Sequence, residues 1–382
     1  MDRSENDLAL VMSGGGARAA YQIGFLRCLA DQQKDIHFPI ITGVSAGAIN
    51  AAYLANSTGN FKTRIDGLSA VWAGLTIDDV FRVDTGSIAK HVIGWAIRLL
   101  MGRASSQVKI RAMVDTEPLR KFLAEVLDNN NGYLTGIRSN LLSNDLDGIA
   151  LTASSYSSGQ SISWVQGNSI RHWQRAHRKS VEAEITIEHI MASASLPLFF
   201  PAIKVKDEWY GDGGIRLTAP LSPAIHLGAK RILAISTRYL IDETEQEVNM
   251  IDDYPPPAQV VGAMFNAIFL DVFDNDALRL ERINTLLENQ NSGETHDLDP
   301  VQLLLFRPSE NLGAIANQFE PKLPGAFRFM TRGLGTGETR SNDLLSMVMF
   351  QHDYIAALMD LGYQDAKARL DEVLMFFTKE VE

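Results

Sequence analysis

Ser45 is the clearest candidate nucleophile in the sequence, because of the residues on both sides of it. It stands in Gly43-Val44-Ser45-Ala46-Gly47, a G-x-S-x-G pattern. The apolar run FPIIT precedes this pattern and predicts a buried strand, while AGAINAAYLANS overlaps its end and predicts a helix. A serine on a sharp strand-to-helix turn needs small neighbours and projects its hydroxyl above the sheet. The context therefore predicts a nucleophile elbow over residues 43–47.

Three consecutive glycines, Gly14, Gly15 and Gly16, form a second candidate element. They follow the apolar run LALVM and precede the helix-prone segment ARAAYQIGFLRCLADQQK. Glycines leave backbone N–H groups uncovered, and the N-terminus of the following helix favours negative charge. A P-loop would end in Lys followed by Ser or Thr, and those residues are missing here. The glycines therefore predict an anion site of another kind.

A dinucleotide-binding loop is the alternative that fits the glycines best, because Gly14, Gly16 and Ala19 have the G-x-G-x-x-A spacing. That interpretation also requires an acidic residue at the end of the next strand, where it holds the ribose. The next strand ends instead in Thr42-Gly43-Val44-Ser45. We therefore expect no cofactor, and we expect the N–H groups of the glycine loop to hold the oxyanion of an acyl-transfer intermediate.

A nucleophilic serine needs a base. None of the 8 histidines stands in a characteristic frame, whereas Asp212 lies in YGDGGI at the end of the predicted hairpin AIKVKDEWYGDGG. A carboxylate with a pKa of about 4 is a weak base for serine, so Asp212 would need a direct hydrogen bond and a desolvated site. Three interpretations stay open at this point: Asp212 as general base, a plain D-G-G turn at Asp212, or a triad with His226, His296 or His352.

The order of the predicted elements defines the fold class. Strands and helices alternate over residues 8–57, which favours an α/β fold with parallel strands and right-handed crossovers. Residues 149–156 and 161–166 predict two further strands joined by a turn. After about residue 240 the sequence is first acidic and then Pro-rich, and residues 258–289 predict one long amphipathic helix.

Composition limits the classes of function. A chain of 382 residues with 46% hydrophobic residues is long enough for a large core. The formal net charge of -11 argues against a nucleic-acid partner. A single cysteine excludes an internal disulfide, and no metal-binding motif stands in the sequence, so we expect no metal. We expect a cytoplasmic protein, because the N-terminus lacks a signal-peptide pattern and the apolar segments are shorter than the ~20 residues that span a bilayer.

Four motifs resemble, in order, those of the patatin-like phospholipase family, in its bacterial type with a helical C-terminal extension. They are GGGARAA (14–20), GVSAG (43–47), MASASLPLFFPA (191–202) and DGG (212–214). The set is specific as a set, and the resemblance covers at least residues 8–236. One position departs from the family, whose glycine motif usually ends in glycine where this chain has Ala19. Alanine costs little in the first turn of a helix, so we keep the oxyanion assignment.

The resemblance implies a three-layer α/β sandwich with a mostly parallel central sheet. It implies a catalytic domain over residues 1–240 and a mainly helical C-terminal extension over residues 241–382, packed on that domain. It also implies hydrolysis of fatty-acyl esters of lipids, as in a phospholipase A, by a Ser–Asp dyad without histidine. Ser45 is then the nucleophile, Asp212 the general base, and the oxyanion hole comes from Gly14, Gly15 and Gly16. The supporting positions are Arg18, Gly43, Gly47, Gly213 and Gly214.

Several alternatives accompany this expectation. A thioesterase or an acyltransferase would use the same serine elbow. A non-catalytic lipid-binding protein would not use the serine as a nucleophile. Arg18 either contacts a phospholipid head group or pairs with an acidic neighbour. The amphipathic stretch 81–102 is either a surface helix or a groove wall, lid or membrane-contact element. Peripheral contact with a membrane is compatible with all the lipid-active interpretations.

Overall fold

The computed structural model describes most of the chain. The described residues are 7–33, 36–82, 112–240, 257–269, 271–288, 298–323, 325, 328 and 342–378. The amphipathic stretch predicted over 81–102 therefore lies outside the described residues from position 83 onward. His91 and His296 also lie outside them.

A 10-stranded mixed sheet forms the centre of the protein. Its strands are β1 Leu8–Met12, β2 Ile40–Val44, β3 Gly148–Ser155, β4 Ser161–Gly167, β5 Gln174–Arg175, β6 Arg178–Glu182, β7 Ile203–Val205, β8 Glu208–Asp212, β9 Arg231–Ile235 and β10 Gln302–Phe306. The order is β10-β9-β1-β2-β3-β4-β6-β5, and β8 pairs with both β3 and β7. The five strands from β10 to β3 are parallel to one another, whereas β3 is antiparallel to β4 and β8. The predicted α/β fold with a mostly parallel central sheet is confirmed.

Helices connect and cover these strands. They are α1 Ala20–Gln32, α2 Ala46–Asn56, α3 Phe61–Gly74, α4 Ile77–Val80, α5 Glu117–Val126, α6 Thr135–Ser143, α7 Ile187–Ser193, α8 Ser222–His226, α9 Pro257–Phe269, α10 Asp271–Glu288, α11 Leu312–Phe319, α12 Asp343–Val348, α13 His352–Ala368 and α14 Leu370–Thr378. The helix predicted over 258–289 corresponds to the described helices α9 and α10, and residue 270 between them lies outside the described residues.

The central strands of the sheet, such as β1 and β2, are buried on both faces, which explains why they are continuous apolar runs rather than alternating ones. In β1, Leu10 and Met12 belong to the core cluster that contains α1 and α2. Ala9 and Val11 belong to a second cluster on the opposite face, together with residues of α8 and α10. Helices therefore pack on both faces of the sheet, as expected for a three-layer sandwich.

The described part of the chain after residue 240 continues the same sheet and the same core. Strand β10 pairs with β9 in parallel register. Helix α13 packs on α1 so closely that a Cβ at Gly362 would lie 2.1 Å from the carbonyl oxygen of Tyr21. The Tyr21 hydroxyl donates a hydrogen bond to Asp365 at 3.0 Å. The domain boundary at 240 stays a prediction, but the helices after it are joined to the sheet by a shared core.

Among the described residues, no helix is both long enough and apolar enough to cross a membrane.

Candidate active site

Ser45 lies at the turn between β2 and α2, in a backbone conformation that few non-glycine residues adopt. Its φ is 56° and its ψ is -130°. A Cβ at Gly47 would lie 2.4 Å from the carbonyl oxygens of Met12 and Ser13, and a Cβ at Gly43 would lie 2.3 Å from the carbonyl oxygen of Gly47. The turn therefore tolerates only glycine on both sides of the serine, as the G-x-S-x-G pattern predicts.

Asp212 is brought to Ser45 by strand β3, which lies between their strands. β2 and β8 both pair with β3, and Asp212 is opposite Ala153 in that register. The Ser45 hydroxyl donates a hydrogen bond to Oδ2 of Asp212 at 2.5 Å. The two side chains are 167 positions apart in the sequence, and the structure places them in direct contact.

Burial changes the acid–base chemistry of Asp212. The side chain is fully buried, and this desolvation raises its pKa to about 7, against the opposing effect of hydrogen bonds from Ser45 and Gly214. Its Oδ1 accepts a hydrogen bond from the N–H of Gly214 at 2.9 Å, so the carboxylate is held through both oxygens. The neighbouring Gly213 accepts a hydrogen bond from the Ser154 hydroxyl through its carbonyl. A carboxyl group with a pKa near neutrality is much better matched to a role as general base.

Ser193 holds the backbone of Ser45 through a hydrogen bond that the sequence did not reveal. The N–H of Ser45 donates a hydrogen bond to Oγ of Ser193 at 3.0 Å, and that hydroxyl donates to the carbonyl oxygen of Thr152 at 2.6 Å. Two residues further on, the carbonyl oxygen of Ser195 accepts a hydrogen bond from the N–H of Asp212. In the sequence, MASASLPLFFPA was recognised only as one of the four motifs of the family, and its contacts with Ser45 and Asp212 were not predicted.

The glycine loop packs directly on the elbow. A Cβ at Gly14 would lie 2.8 Å from the Cβ of Ser45, so this close approach requires glycine. Gly15 and Gly16 have φ values of 138° and 58°, and a 3-10 turn, Gly16–Ala19, follows them. The first N–H groups of a helical turn have no partner within that turn, which leaves them able to bind an anion.

Ala19, where the family usually has glycine, needs no special backbone. It is buried between the 3-10 turn and α1, and its φ of -65° and ψ of -12° suit any residue. The departure from the family pattern therefore leaves the turn geometry intact.

Arg18 forms a buried ion pair with the C-terminal part of the chain. Its side chain is 3% exposed, and Nη2 donates to Oδ1 of Asp343 at 2.6 Å. Its Nε donates to Oγ of Ser346 at 2.7 Å. Of the two roles open for Arg18 in the sequence, this geometry favours pairing with an acidic neighbour.

An apolar cavity with a free volume of about 50 Å³ begins at Ser45. Apart from Gly16 and the polar Ser45, the lining side chains among the described residues are all apolar. They are Gly16, Ser45, Ala46, Ile49, Val71, Trp72, Leu75, Val80, Leu119, Phe122, Leu123, Ala194, Leu196, Phe200, Met347 and Phe350. Such a cavity suits an apolar chain attached to a group that reacts at Ser45.

The two described histidines named for a triad, His226 and His352, lie elsewhere. The ring of His226 stacks on Trp173, with centroids 4.6 Å apart, and His352 hydrogen-bonds through Nδ1 to the carbonyl oxygen of Ala73. In the part of the chain that the structure describes, no histidine hydrogen-bonds to Ser45 or Asp212. The described residues also contain no cluster of three His, Cys, Asp or Glu side chains that could hold a metal ion.

An α/β fold with a serine on a strand-to-helix elbow beside an apolar cavity is typical of carboxylic ester hydrolases. The family model described as "Patatin-like phospholipase" matches residues 10–225, more than half of the 382 residues. The chain belongs to the patatin-like phospholipase family, and this membership implies lipid acyl hydrolase activity and a lipid substrate.

The chain is also similar to solved structures. VipD from Legionella pneumophila is 14% identical and has a TM-score of 0.42, with 96% of this chain and 67% of VipD covered. Human GIVD cytosolic phospholipase A2, in complex with methyl gamma-linolenyl fluorophosphonate, is 13% identical and has a TM-score of 0.47, with 99% of this chain covered. This chain spans 60% of the length of that human protein. No curated protein matches this chain.

Proposed function

We propose that the protein is a serine lipid acyl hydrolase of the phospholipase A type, which cleaves fatty-acyl esters with Ser45 as nucleophile and Asp212 as general base. One observation carries this proposal: the Ser45 hydroxyl donates directly to a fully buried carboxylate at 2.5 Å. A serine is a poor nucleophile without an adjacent base. Here the base contacts the serine without an intervening imidazole.

Acylation begins when Oγ of Ser45 attacks the ester carbonyl carbon and its proton passes to Oδ2 of Asp212. The tetrahedral intermediate then collapses, the bond from carbon to the alcohol oxygen breaks, and Asp212 returns the proton to that oxygen. Water attacks the acyl-serine in the second half of the reaction and gives its proton to Asp212. Ser45 regains a proton as the fatty acid leaves. Asp212 is thus base and then acid in each half, which a pKa of about 7 favours.

The oxyanion of each tetrahedral intermediate needs preorganised donors. The N–H of Ser45 is already bound to Ser193, so it is occupied. The N–H groups of Gly14, Gly15 and Gly16 are the proposed donors, because their loop packs on Ser45 and opens a helical turn. A single donor of this type typically lowers the barrier by ~3 kcal/mol.

The apolar cavity is proposed to hold the acyl chain of the substrate. It starts at Ser45 and its lining offers almost no hydrogen-bonding partner. A chain of methylenes gains about 0.8 kcal/mol for each CH₂ removed from water. The ester carbonyl is then placed between Ser45 and the glycine loop, with the alcohol part of the lipid outside the cavity.

We also propose peripheral contact with a membrane through the strands that lead to Asp212. Trp209 of β8 is 39% exposed and pairs in register with the exposed Lys204 of β7. The N–H of Tyr156, which is 52% exposed, donates to the carbonyl oxygen of Trp209. Aromatic and basic side chains together favour the membrane–water interface. Trp209→Ala should reduce sedimentation with anionic phospholipid vesicles, whereas Leu142→Ala, at another exposed apolar position, should not.

The proposed activity is tested by the release of fatty acid from phosphatidylcholine vesicles and from a medium-chain aryl ester. Wild type should hydrolyse both, and folded Ser45→Ala should hydrolyse neither. Addition of an alcohol or a thiol acceptor distinguishes the alternatives: acyl transfer to the acceptor in preference to water would indicate an acyltransferase. A wild-type protein that binds these lipids but leaves them intact would contradict the proposal and favour a binding role.

A further inference from the structure

The C-terminal segment 342–350 lies directly on the glycine loop. A Cβ at Gly16 would lie 2.0 Å from the carbonyl oxygen of Met347, so the two backbones are in contact. Helix α12 begins within this segment, and the side chain of Asn342 caps it by accepting a hydrogen bond from the N–H of Leu345. The family model covers residues 10–225, and segment 342–350 begins 117 positions after its end. This distant segment therefore contacts the proposed oxyanion site.

Arg18 fixes this segment to the loop. The buried guanidinium bonds to the Asp343 carboxylate, the Asp343 carbonyl oxygen and the Ser346 hydroxyl. A buried arginine without a compensating charge is strongly unfavourable, so loss of Asp343 would disturb the turn that carries Arg18. The ion pair thus links the position of α12 to the position of the glycine loop, two residues before Arg18.

The same segment forms one wall of the apolar cavity. Met347 and Phe350 line it together with Gly16 and Ser45. The ring of Phe350 packs edge-on against Phe81, with centroids 6.4 Å apart, and both residues are buried. The residues that contact an acyl chain close to the nucleophile therefore come partly from the C-terminal segment.

We propose that segment 342–350 determines acyl-chain specificity through Met347 and Phe350, and that Asp343 and Ser346 are positioning residues that hold the glycine loop through Arg18. This inference rests on the proposed lipid acyl hydrolase function. It assigns the C-terminal part of the chain a role in the site, in addition to its packing on the sheet.

The specificity role is tested with a Phe350→Ala variant and a series of aryl esters from butanoyl to hexadecanoyl. Removal of the ring enlarges the cavity and should raise kcat/KM for longer esters relative to shorter ones. The expected gain is about fourfold for each additional methylene that the cavity covers. Phe319→Ala is the matched control, because its ring packs on Tyr354 and does not line the cavity. An unchanged chain-length profile in a folded Phe350→Ala protein would overturn this part of the inference.

The positioning role is tested with Asp343→Asn. Its kcat on a short aryl ester should fall by about 10- to 100-fold with KM changed by less than about twofold, because a displaced loop affects the transition state more than short-chain binding. Asp353→Asn is the control, since it removes an exposed ion pair with Lys322 in the same part of the chain. If Asp343→Asn does not fold, Ser346→Ala removes one acceptor and should lower kcat in the same direction. Wild-type kcat in either folded variant would overturn the positioning role.

Fatty-acid binding separates this inference from the proposed function. In a Ser45→Ala background, displacement of a fluorescent fatty acid by acids of increasing length reports on the cavity without turnover. If Phe350→Ala shifts the preference toward longer acids, Phe350 forms part of the cavity wall, even if wild type hydrolyses no ester. A wild type that hydrolyses no ester would contradict only the proposed function. If the preferred acid length does not change, the inference that Phe350 forms a cavity wall is overturned, whether or not wild type hydrolyses esters.

Discussion

The N–H of Ser45 donates a hydrogen bond to Oγ of Ser193 at 3.0 Å, and this bond connects Ser45 to strand β3, which also positions Asp212. Ser193 donates in turn to the carbonyl oxygen of Thr152 in β3. Asp212 pairs with Ala153, the next residue of the same strand. The separation of the serine hydroxyl and the carboxylate is therefore fixed by one strand rather than by loop packing alone.

Ser193→Ala is expected to lower kcat for an aryl ester by about tenfold, because it leaves the buried N–H of Ser45 and the carbonyl of Thr152 without their shared partner, a change of ~1–3 kcal/mol. Steady-state kinetics and a thermal melt measure the effect. Ser195→Ala is the control, since the Ser195 hydroxyl donates only to the carbonyl oxygen of Met191. An equal loss in both variants would mean that the whole motif, and not the Ser193 bond, supports the elbow.

The pH dependence of the reaction should follow Asp212. Only its deprotonated form accepts the serine proton, and burial raises its pKa to about 7. We expect kcat/KM for an aryl ester to rise with pH, to be half-maximal at about pH 7 and then to reach a plateau. A profile half-maximal near the ordinary carboxylate pKa of about 4 would contradict the buried, desolvated base.

The raised pKa of Asp212 should make the stability of the folded protein fall with rising pH, whereas the activity rises. The folded state keeps Asp212 protonated up to about pH 7, whereas the unfolded state releases the proton at about pH 4. The stability due to this group is full below the unfolded pKa and is lost as pH rises through the folded pKa. Asp212→Asn carries no such titration, so its Tm relative to wild type should rise between pH 4 and pH 7 and stay constant above. A Tm difference independent of pH would contradict the raised pKa of Asp212.

Gly14→Ala should strongly impair catalysis, because its Cβ would lie 2.8 Å from the Cβ of Ser45 and would push the glycine loop from the nucleophile. We expect kcat to fall by about 100-fold or more, the loss that follows removal of one oxyanion donor. Gly74→Ala is the control, since nothing lies within 4 Å of a Cβ at that position. Near wild-type kcat in a folded Gly14→Ala protein would exclude the loop from the oxyanion site.

The sequence was sufficient for the fold class and for the local structure around the two candidate residues. Both depend on local patterns: a buried apolar run, a glycine-flanked turn and a helix-prone segment around Ser45, and a hairpin that ends in D-G-G at Asp212. Strands 149–156 and 161–166 were predicted from the same kind of pattern and correspond to β3 and β4. Patterns of this type can be predicted because they depend on residues close together in the sequence and require only the strand–turn–helix order.

Contacts between distant parts of the chain could not be predicted in this way. Arg18 and Asp343 are 325 positions apart, and no periodicity in either segment specifies the other. Ser193 was part of a recognised motif, but a serine near a helix end has many ordinary roles, so its bond to Ser45 gave no signal. The lining of the cavity comes from several helices and from residues after 342, and it becomes visible only when these pack.

The most direct test of the Ser45–Asp212 dyad is the rate at which an aryl ester acylates Ser45 in a single turnover, with the acyl-peptide identified by mass spectrometry. Wild type should form an acyl group on Ser45, and folded Asp212→Asn should form it about 100- to 10,000-fold more slowly, the range for loss of a general base. Ser45→Ala should form none. Acylation of Ser45 at the wild-type rate in Asp212→Asn would contradict the dyad and assign the base to another residue.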